Sequence, residues 1–186
     1  YNQSIGYFNS VYIEISSMIF IILGSVPFIA YIKFLNGNKK IFISDGQIRS
    51  FLKIIILSII ILSFYLFLTN NENFSFRSIF FNTISILTGT GYVNAEFNSW
   101  GSFPITIFLA LMFIGGCAGS TTCGIKIFRI QILYLFILNQ LKKIIYPKGV
   151  FLIKYDQNSV DEKFIASIIS FIFFYFVIFF ILAALL

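Results

Sequence analysis

The sequence predicts an all-α integral membrane protein, and three observations support this class. Of the 186 residues, 59% are hydrophobic and only 11% are charged, and the mean hydropathy is +0.94. Four long apolar segments are separated by clusters of Lys and Arg, and a short run ending in glycines and threonines lies between the second and third segments. A soluble domain of this size cannot bury so much apolar surface, so the bilayer is the expected solvent.

The four apolar segments differ in length. A helix needs about 20 apolar residues to cross the hydrocarbon of a bilayer. The first segment (residues 11–32), the second (51–68) and the fourth (164–186) are close to this length. The third, residues 103–141, is far too long and is interrupted by small residues. We therefore predict three continuous spans and one broken span.

The basic residues predict the orientation of these spans. One cluster follows the first segment and another follows the third: Lys33, Lys39, Lys40, Arg49 and Lys53, then Lys142, Lys143, Lys148, Lys154 and Lys163. Only Arg77 lies between the second and third segments. The positive-inside rule places both clusters in the cytoplasm and residues 69–102 outside. The net charge of +6 is then a topology signal, with some affinity for anionic lipid, and no nucleic-acid partner is expected.

Residues 77–87, "RSIFFNTISIL", form a short apolar run within the outer segment. As a helix this run would be about 16 Å long, half the thickness of the hydrocarbon. Both of its ends must stay outside, because the next segment has to descend to the second basic cluster. We predict a half-helix that dips into the membrane, followed by an extended return. Such backbone is tolerated at membrane depth only where it lines a polar cavity.

The motif "TGTGY" occupies the return and consists of Thr88, Gly89, Thr90, Gly91 and Tyr92. Glycine adopts positive φ without penalty, so alternating glycines can turn successive carbonyls toward one axis. Such carbonyls can replace the hydration shell of a monovalent cation. We predict a selectivity filter that binds the cation at the backbone carbonyls of Thr88 to Gly91. The threonine hydroxyls either add a ligand or buttress the strand. The alternative is a Gly- and Thr-rich surface turn.

Ten consecutive small residues interrupt the third segment about 12 residues after it begins: Gly115, Gly116, Cys117, Ala118, Gly119, Ser120, Thr121, Thr122, Cys123 and Gly124. Glycines weaken a helix, so we predict an irregular loop near the bilayer midplane, with the helix resuming toward the cytoplasm. The alternatives are close helix packing through small residues and two separate spans. Functionally, a flexible segment below a filter is typical of a gate. Lys126 then either repels cations or latches the segment, or else snorkels to the headgroups together with Arg129.

The remaining reactive residues argue against an enzyme or a proton relay. The chain has no His and two cysteines, Cys117 and Cys123, which we interpret as buried free thiols rather than as a metal site or a disulfide. All seven acids lie near predicted interfaces or loops: Glu14, Asp45, Glu72, Glu96, Asp156, Asp161 and Glu162. A proton-coupled transporter usually needs such groups in mid-membrane. It remains the main rival, with a structural membrane subunit as the second. We expect no catalytic residue and no cofactor in this chain.

"ISILTGTGY" followed by "MFIGGCAGSTTCGIKIFR" closely resembles the third repeat of the TrkH/KtrB superfamily of potassium uptake proteins, most specifically over Gly115 to Lys126. The resemblance implies four potassium-channel-like repeats, each a helix, pore loop and helix, around one pore that carries K⁺. It also implies an intramembrane gate at Gly115–Gly124 and a filter glycine at Gly91, whereas Gly89 occupies a position often filled by Thr. Further implications are a homodimer, a cytosolic nucleotide-binding regulatory subunit of the TrkA/KtrA type, and a bacterial inner-membrane location.

Under this resemblance the chain divides into five parts. Residues 1–32 are the outer loop and the inner-going helix of repeat 2, 33–50 a cytoplasmic loop, 51–141 the complete repeat 3, 142–163 a second cytoplasmic loop, and 164–186 the first helix of repeat 4. We therefore expect a fragment whose other filter segments lie in the remaining repeats. Selectivity depends on all four filters, so a Na⁺-permeable member of the same family remains an alternative.

Overall fold

The computed structural model of the protein describes residues 4–69, 75–146, 149, 151–155 and 158–185. The chain forms two compact units, Tyr1–Ile127 and Phe128–Leu186. Within the described residues the structure is helical apart from one two-stranded hairpin and one isolated bridge, which confirms the predicted all-α class. Glu72 and Asp156, two of the acids considered above, lie outside the described residues.

The first apolar segment is not one continuous span, and here the prediction was wrong. It forms helix α1 (Val11–Ser25) and helix α2 (Phe28–Leu35), which meet at an angle of 90°. Pro27 explains the break, because proline has no N–H to donate and disfavours the helical conformation in the residue before it. Val26 accordingly has extended backbone (φ −86°, ψ 147°).

The second apolar segment is a long helix, as predicted. A short helix α3 (Ile41–Ser44) leads into α4 (Gly46–Leu68), and the mean hydropathy of α4 is 2.6 over its most apolar window. One stripe of α4 is buried in the core of the first unit: Ile48, Phe51, Ile55, Ile59, Leu62 and Leu66. The opposite face exposes large apolar side chains, including Ile56, Ile60 and Phe64, as expected of a helix that contacts lipid.

Asp45 caps the N-terminus of α4, since its carboxylate accepts hydrogen bonds from the amides of Gln47 (2.8 Å) and Ile48 (3.2 Å). We expect Asp45→Ala to cost about 1 kcal/mol of stability and to lower the midpoint of thermal unfolding in detergent. Asp45→Asn is the matched control, because an Asn side chain keeps the capping oxygen. Equal midpoints for the Ala and Asn variants would contradict a stabilising cap.

The predicted half-helix is helix α5 (Phe76–Thr88), which begins one residue before and ends one residue after the predicted run. Its 13 residues span about 20 Å, too short to cross the hydrocarbon. Helices α1 and α4 contact it, as does helix α6 (Ser102–Phe113) further along the chain. Several polar side chains of α5 are nevertheless fully buried, among them Asn82, Thr83 and Ser85. Helix α5 thus carries polar side chains into the interior of the first unit.

The third apolar segment is broken, as predicted. After a short 3-10 turn (Phe97–Trp100), helix α6 (Ser102–Phe113) ends before the small residues, and helix α7 (Ile127–Ile145) begins after them. Trp100, at the end of the 3-10 turn, is buried. Its ring lies 6.1 Å from that of Phe108, so it serves the core of the first unit.

The second unit contains α7 from Phe128 onward, strands β1 (Lys154–Tyr155) and β2 (Asn158–Ser159), and helix α8 (Glu162–Leu185). Helix α8 confirms the fourth predicted span. The antiparallel hairpin β1–β2 was not predicted within the cytoplasmic loop. Snorkelling of Arg129 was one of the alternatives considered; its guanidinium lies 3.7 Å from the centre of the Phe171 ring, a cation–π contact.

Candidate functional site

Helix α5 and the TGTGY motif form the predicted pore loop. The descending and returning limbs of this loop meet at one residue of α1, Glu14. Arg77, in the first turn of α5, places its Nε 2.8 Å from Oε2 of Glu14 in α1. Asn94, which follows the TGTGY motif, donates from Nδ2 to the same oxygen at 3.2 Å. Because both limbs meet at one carboxylate, the chain between them must descend and return. The loop is therefore re-entrant in shape.

The turn at the inner end of α5 depends on glycine. Gly89 and Gly91 have φ values of +71° and +77°, in the left-handed region that glycine tolerates best. The amide of Gly89 donates to the carbonyl of Ile86 at 3.1 Å, and the amides of Thr90 and Gly91 donate to that of Ser85 at 3.0 and 3.4 Å. The amides of all three residues are thus directed at the last turn of α5.

This arrangement fixes the direction of the neighbouring carbonyls. All the described peptide bonds are trans, and in a trans peptide the carbonyl of one residue points opposite to the N–H of the next. The carbonyls of Thr88, Gly89 and Thr90 therefore point away from the end of α5. Three successive peptide oxygens are left to face whatever lies beyond the helix.

The threonine hydroxyls buttress this turn. Thr88 Oγ1 lies 2.8 Å from the carbonyl oxygen of Ile84 and 3.2 Å from that of Ser85. It also lies 2.8 Å from Thr90 Oγ1. These contacts tie both side chains to the helix, so the structure favours the buttress over the hydroxyl ligand. Tyr92 is about half exposed.

The ten small residues form a loop with a narrow neck. A parallel bridge pairs Ile114 with Ile125, through hydrogen bonds from the amide of Gly115 to the Ile125 carbonyl and from the amide of Ile125 to the Phe113 carbonyl, both 2.9 Å. A Cβ on Gly115 would collide with the carbonyl of Cys123. The neck therefore requires glycine, which close helix packing alone would not explain.

Side chains inside the loop hold it closed on itself. Thr122 Oγ1 accepts the amide of Gly116 at 2.8 Å and lies 2.8 Å from Ser120 Oγ. Lys126 Nζ donates to the Ser120 carbonyl at 3.3 Å, to Thr122 Oγ1 at 3.1 Å and to the Thr122 carbonyl. Among the interpretations of Lys126, this geometry matches the latch and not the snorkel.

The loop also binds the break between α1 and α2. The amide of Cys117 donates to the carbonyl of Ser25 at 3.3 Å, and the amide of Thr121 donates to that of Gly24 at 3.1 Å. The Phe28 amide donates in turn to the carbonyl of Gly119 at 3.0 Å. The loop thus satisfies the backbone groups that the kink at Pro27 leaves without helical partners.

The tip of the loop contacts the first turn of α4. The amide of Ala118 donates to Oε1 of Gln47 at 2.9 Å, and Gln47 lies in the first turn of α4, the end that the charge rule places in the cytoplasm. Cys123 instead lies against Gly89, where an added Cβ would approach the Cys123 Cβ to 3.0 Å. The loop therefore extends from the TGTGY turn toward the inner end of α4. Of the two free cysteines, Cys117 is buried as expected, whereas Cys123 is exposed.

A cavity of about 430 Å³ joins these two features. Its walls come from three parts of the first unit: the TGTGY turn, the loop and helix α1. The residues that line it include Thr88, Gly89, Thr90 and Tyr92 from the turn, Thr121, Thr122 and Cys123 from the loop, and Ser16, Ser17 and Ser25 from α1. The structure thus brings together the two segments that the sequence singled out separately.

The whole chain, residues 1–186, matches the family model TrkH, described as a cation transport protein. The chain belongs to the TrkH family. This family comprises transporters and not enzymes, and the described part of the TrkH-family chain contains no cluster of His, Cys, Asp or Glu that could hold a metal ion.

Curated relatives and a solved structure agree with the membership. The TrkH-family chain is 33% identical over 159 residues to the Trk system potassium uptake protein TrkI of Halomonas elongata, covering 85% of this chain and 32% of that protein. It is 32% identical over 187 residues to the Trk system potassium uptake protein TrkG of Escherichia coli K12, and this match covers 98% of this chain and 39% of TrkG. The crystal structure of the potassium transporter TrkH from Vibrio parahaemolyticus superimposes with a TM-score of 0.90 at 28% identity, covering 97% of this chain and 40% of that one. The chain thus spans between about a third and two fifths of the length of the relatives it matches.

Two features of the TrkH-family site were missed by sequence reasoning. Glu14 was placed near the membrane interface as one of seven acids, but it is buried and paired with Arg77. A signal was available, since Arg77 is the only basic residue between the second and third apolar segments. The docking of the loop on Gly24 and Ser25 left no comparable signal, because these bonds join backbone groups.

Proposed function

We propose that the protein is part of a potassium uptake system that conducts K⁺ across the bacterial cytoplasmic membrane. The carbonyls of Thr88, Gly89, Thr90 and Gly91 form one of its filter segments, completed by Tyr92. The observation that carries the proposal is that three of these carbonyls point away from α5 beside a cavity bordered by the loop Gly115–Gly124. Carbonyl oxygens suit K⁺ because they can replace its hydration shell.

The loop Gly115–Gly124, with Lys126, acts as the gate of this pathway. It lines the cavity together with the TGTGY turn and is held there largely by individually weak hydrogen bonds between neutral groups, each contributing roughly 1 kcal/mol. A segment held in this way can leave the pathway without unfolding a helix. The ammonium of Lys126 ties the loop closed and adds a positive charge close to the ion path.

The Trk names of the relatives favour K⁺ over Na⁺ as the transported ion. A Na⁺-permeable member of the same family is the second candidate, because the other filter segments contribute to selectivity. A proton relay is disfavoured, because Glu14 is the only buried acid among the residues that the structure describes and it is already paired with Arg77.

The partners proposed for this segment follow from the share of its relatives that it spans and from its resemblance to their family. Residues 51–141 constitute the third of four repeats, flanked by the end of the second and the start of the fourth, so the other repeats complete the pore. We further expect a homodimer and a cytosolic nucleotide-binding regulatory subunit of the TrkA/KtrA type. The protein itself holds no cofactor besides the transported ion.

Potassium uptake is tested in a bacterial strain that lacks its own K⁺ uptake systems. We expect the full-length protein to restore growth at limiting K⁺ and to drive uptake of ⁸⁶Rb⁺. K⁺ should compete with ⁸⁶Rb⁺ for this uptake, whereas Na⁺ should not. An empty vector provides the control. Growth rescue that depends on added Na⁺, with uptake of ²²Na⁺, would favour the Na⁺-permeable alternative, and no uptake of either ion would reject the proposal.

A further inference from the structure

Glu14 is buried at the point where the two limbs of the pore loop meet. Its side chain is about 3% exposed, whereas that of its partner Arg77 is 40% exposed. One carboxylate oxygen, Oε2, accepts from Arg77 Nε at 2.8 Å on the descending limb and from Asn94 Nδ2 at 3.2 Å on the returning limb. A single atom of α1 thus bridges the entry and the exit of the loop.

The returning limb is also held by uncharged contacts. The backbone of Val93 exchanges hydrogen bonds with Ser4 Oγ, at 2.9 and 2.7 Å, and accepts the amide of Gly6 at 3.2 Å. Asn82 of α5 accepts the amide of Asn94 and donates to the carbonyl of Ala95, both at 3.4 Å. All these bonds join neutral groups, whereas the bonds to Glu14 involve a charged carboxylate and are therefore stronger.

Glu14 does not contact the cavity beside the TGTGY turn. Its neighbours in α1, Ser16 and Ser17, line the cavity, but the Glu14 carboxylate lies among protein groups. Because the Glu14 carboxylate is buried and does not line the cavity, it is not placed to serve as a ligand for a passing ion. Its contacts instead fix the distance between the two limbs, and Thr88–Tyr92 lie at the bend between those limbs.

We infer that Glu14 is a positioning residue for ion selectivity, which sets the geometry of the Thr88–Tyr92 filter by clamping Arg77 and Asn94 together. The inference rests on the proposed function, since it assigns to a residue of α1 the control of a filter on α5. It makes the discrimination between K⁺ and Na⁺ depend on a side chain that no ion touches.

The test is the ratio of K⁺ to Na⁺ affinity in the full-length protein, measured by competition against ⁸⁶Rb⁺ uptake. Glu14→Gln keeps the size of the side chain but removes its charge. We expect this variant to lose about tenfold in the ratio, within the range that contacting residues in one network show. The maximal uptake rate per protein should change much less than the ratio. Glu96→Gln is the matched control, because Glu96 is an exposed acid of the same outer segment.

Asn94→Ala is a milder second variant, since it removes one donor and leaves the ion pair in place. It should show the same direction of change even if Glu14→Gln is poorly folded. Glu14→Asp, which shortens the side chain but keeps the charge, should lie between Gln and wild type. The inference would be overturned if Asn94→Ala and a folded Glu14→Gln both had the same ratio of K⁺ to Na⁺ affinity as Glu96→Gln and differed from it only in a lower unfolding temperature. Absence of uptake in the wild type would instead reject the proposed function.

Discussion

Gly91→Ala is expected to abolish growth at limiting K⁺ and to collapse the preference for K⁺ over Na⁺. Gly91 has a φ of +77°, and no atom lies within 4 Å of an added Cβ. The cost therefore comes from the backbone alone, at about 1–2 kcal/mol for an L-residue in the left-handed region. The strain is relieved by rotation about φ, which turns the peptide joining Thr90 to Gly91 and with it the Thr90 carbonyl. We expect at least a tenfold loss of apparent K⁺ affinity, measured by ⁸⁶Rb⁺ uptake.

The chain offers a closely matched control for this substitution. Gly37, in the turn after α2, has a φ of +95° and likewise no atom within 4 Å of an added Cβ. Gly37→Ala carries the same kind of strain outside the proposed pathway and should leave uptake unchanged. Gly119→Ala, at φ +72° in the loop, should alter the rate of uptake but not the preference for K⁺. If Gly91→Ala supports growth as well as Gly37→Ala does, the filter assignment is wrong.

Lys126→Met is expected to raise the resting uptake of K⁺ by roughly tenfold or more. The Lys126 ammonium donates to Ser120 and Thr122, both within the loop. Hydrogen bonds of a charged group contribute about 1.5–3 kcal/mol each, and 1.4 kcal/mol changes the ratio of closed to open loop tenfold. Met preserves most of the length of the side chain but not its donors. The measurement is ⁸⁶Rb⁺ flux into proteoliposomes that contain only the purified transporter.

Two further variants separate latching from electrostatic repulsion. Lys126→Arg keeps the positive charge but changes the shape of the donor, so a latch predicts raised flux and repulsion predicts wild-type flux. Lys163→Met removes a positive charge from an exposed residue at the start of α8 and should leave the flux unchanged. Flux through Lys126→Met at or below the wild-type level would contradict both roles.

Several elements could be predicted from the sequence because short-range physics determines them. The bounds of α5 follow from the length of its apolar run and from Gly89, which adopts the left-handed conformation at its C-terminus. The break before Gly115 follows from the low helix propensity of glycine. Helix α8 follows from hydropathy alone. In each case the decisive residues lie within the element itself.

The remaining features depend on contacts between distant residues. Pro27 was visible within the first segment, but membrane helices tolerate proline. The break is completed here by backbone bonds that link Gly24, Ser25 and Phe28 to the distant loop. The pairing of Glu14 with Arg77 joins residues 63 positions apart, so the isolated Arg77 marked an unusual charge in the sequence but did not identify its partner.

The bonds between the loop and the kink at Pro27 have one more consequence. If the loop withdraws, the carbonyls of Gly24 and Ser25 and the amide of Phe28 lose the partners that they have in this structure. Exposed backbone groups at membrane depth are unfavourable unless water replaces the lost partners. The loop would then withdraw only as water entered the space that it leaves beside the kink at Pro27, so the two changes would be a single event. The conductance of the pathway should accordingly respond to osmotic stress, because solutes too large to enter would draw out the water that the open state requires.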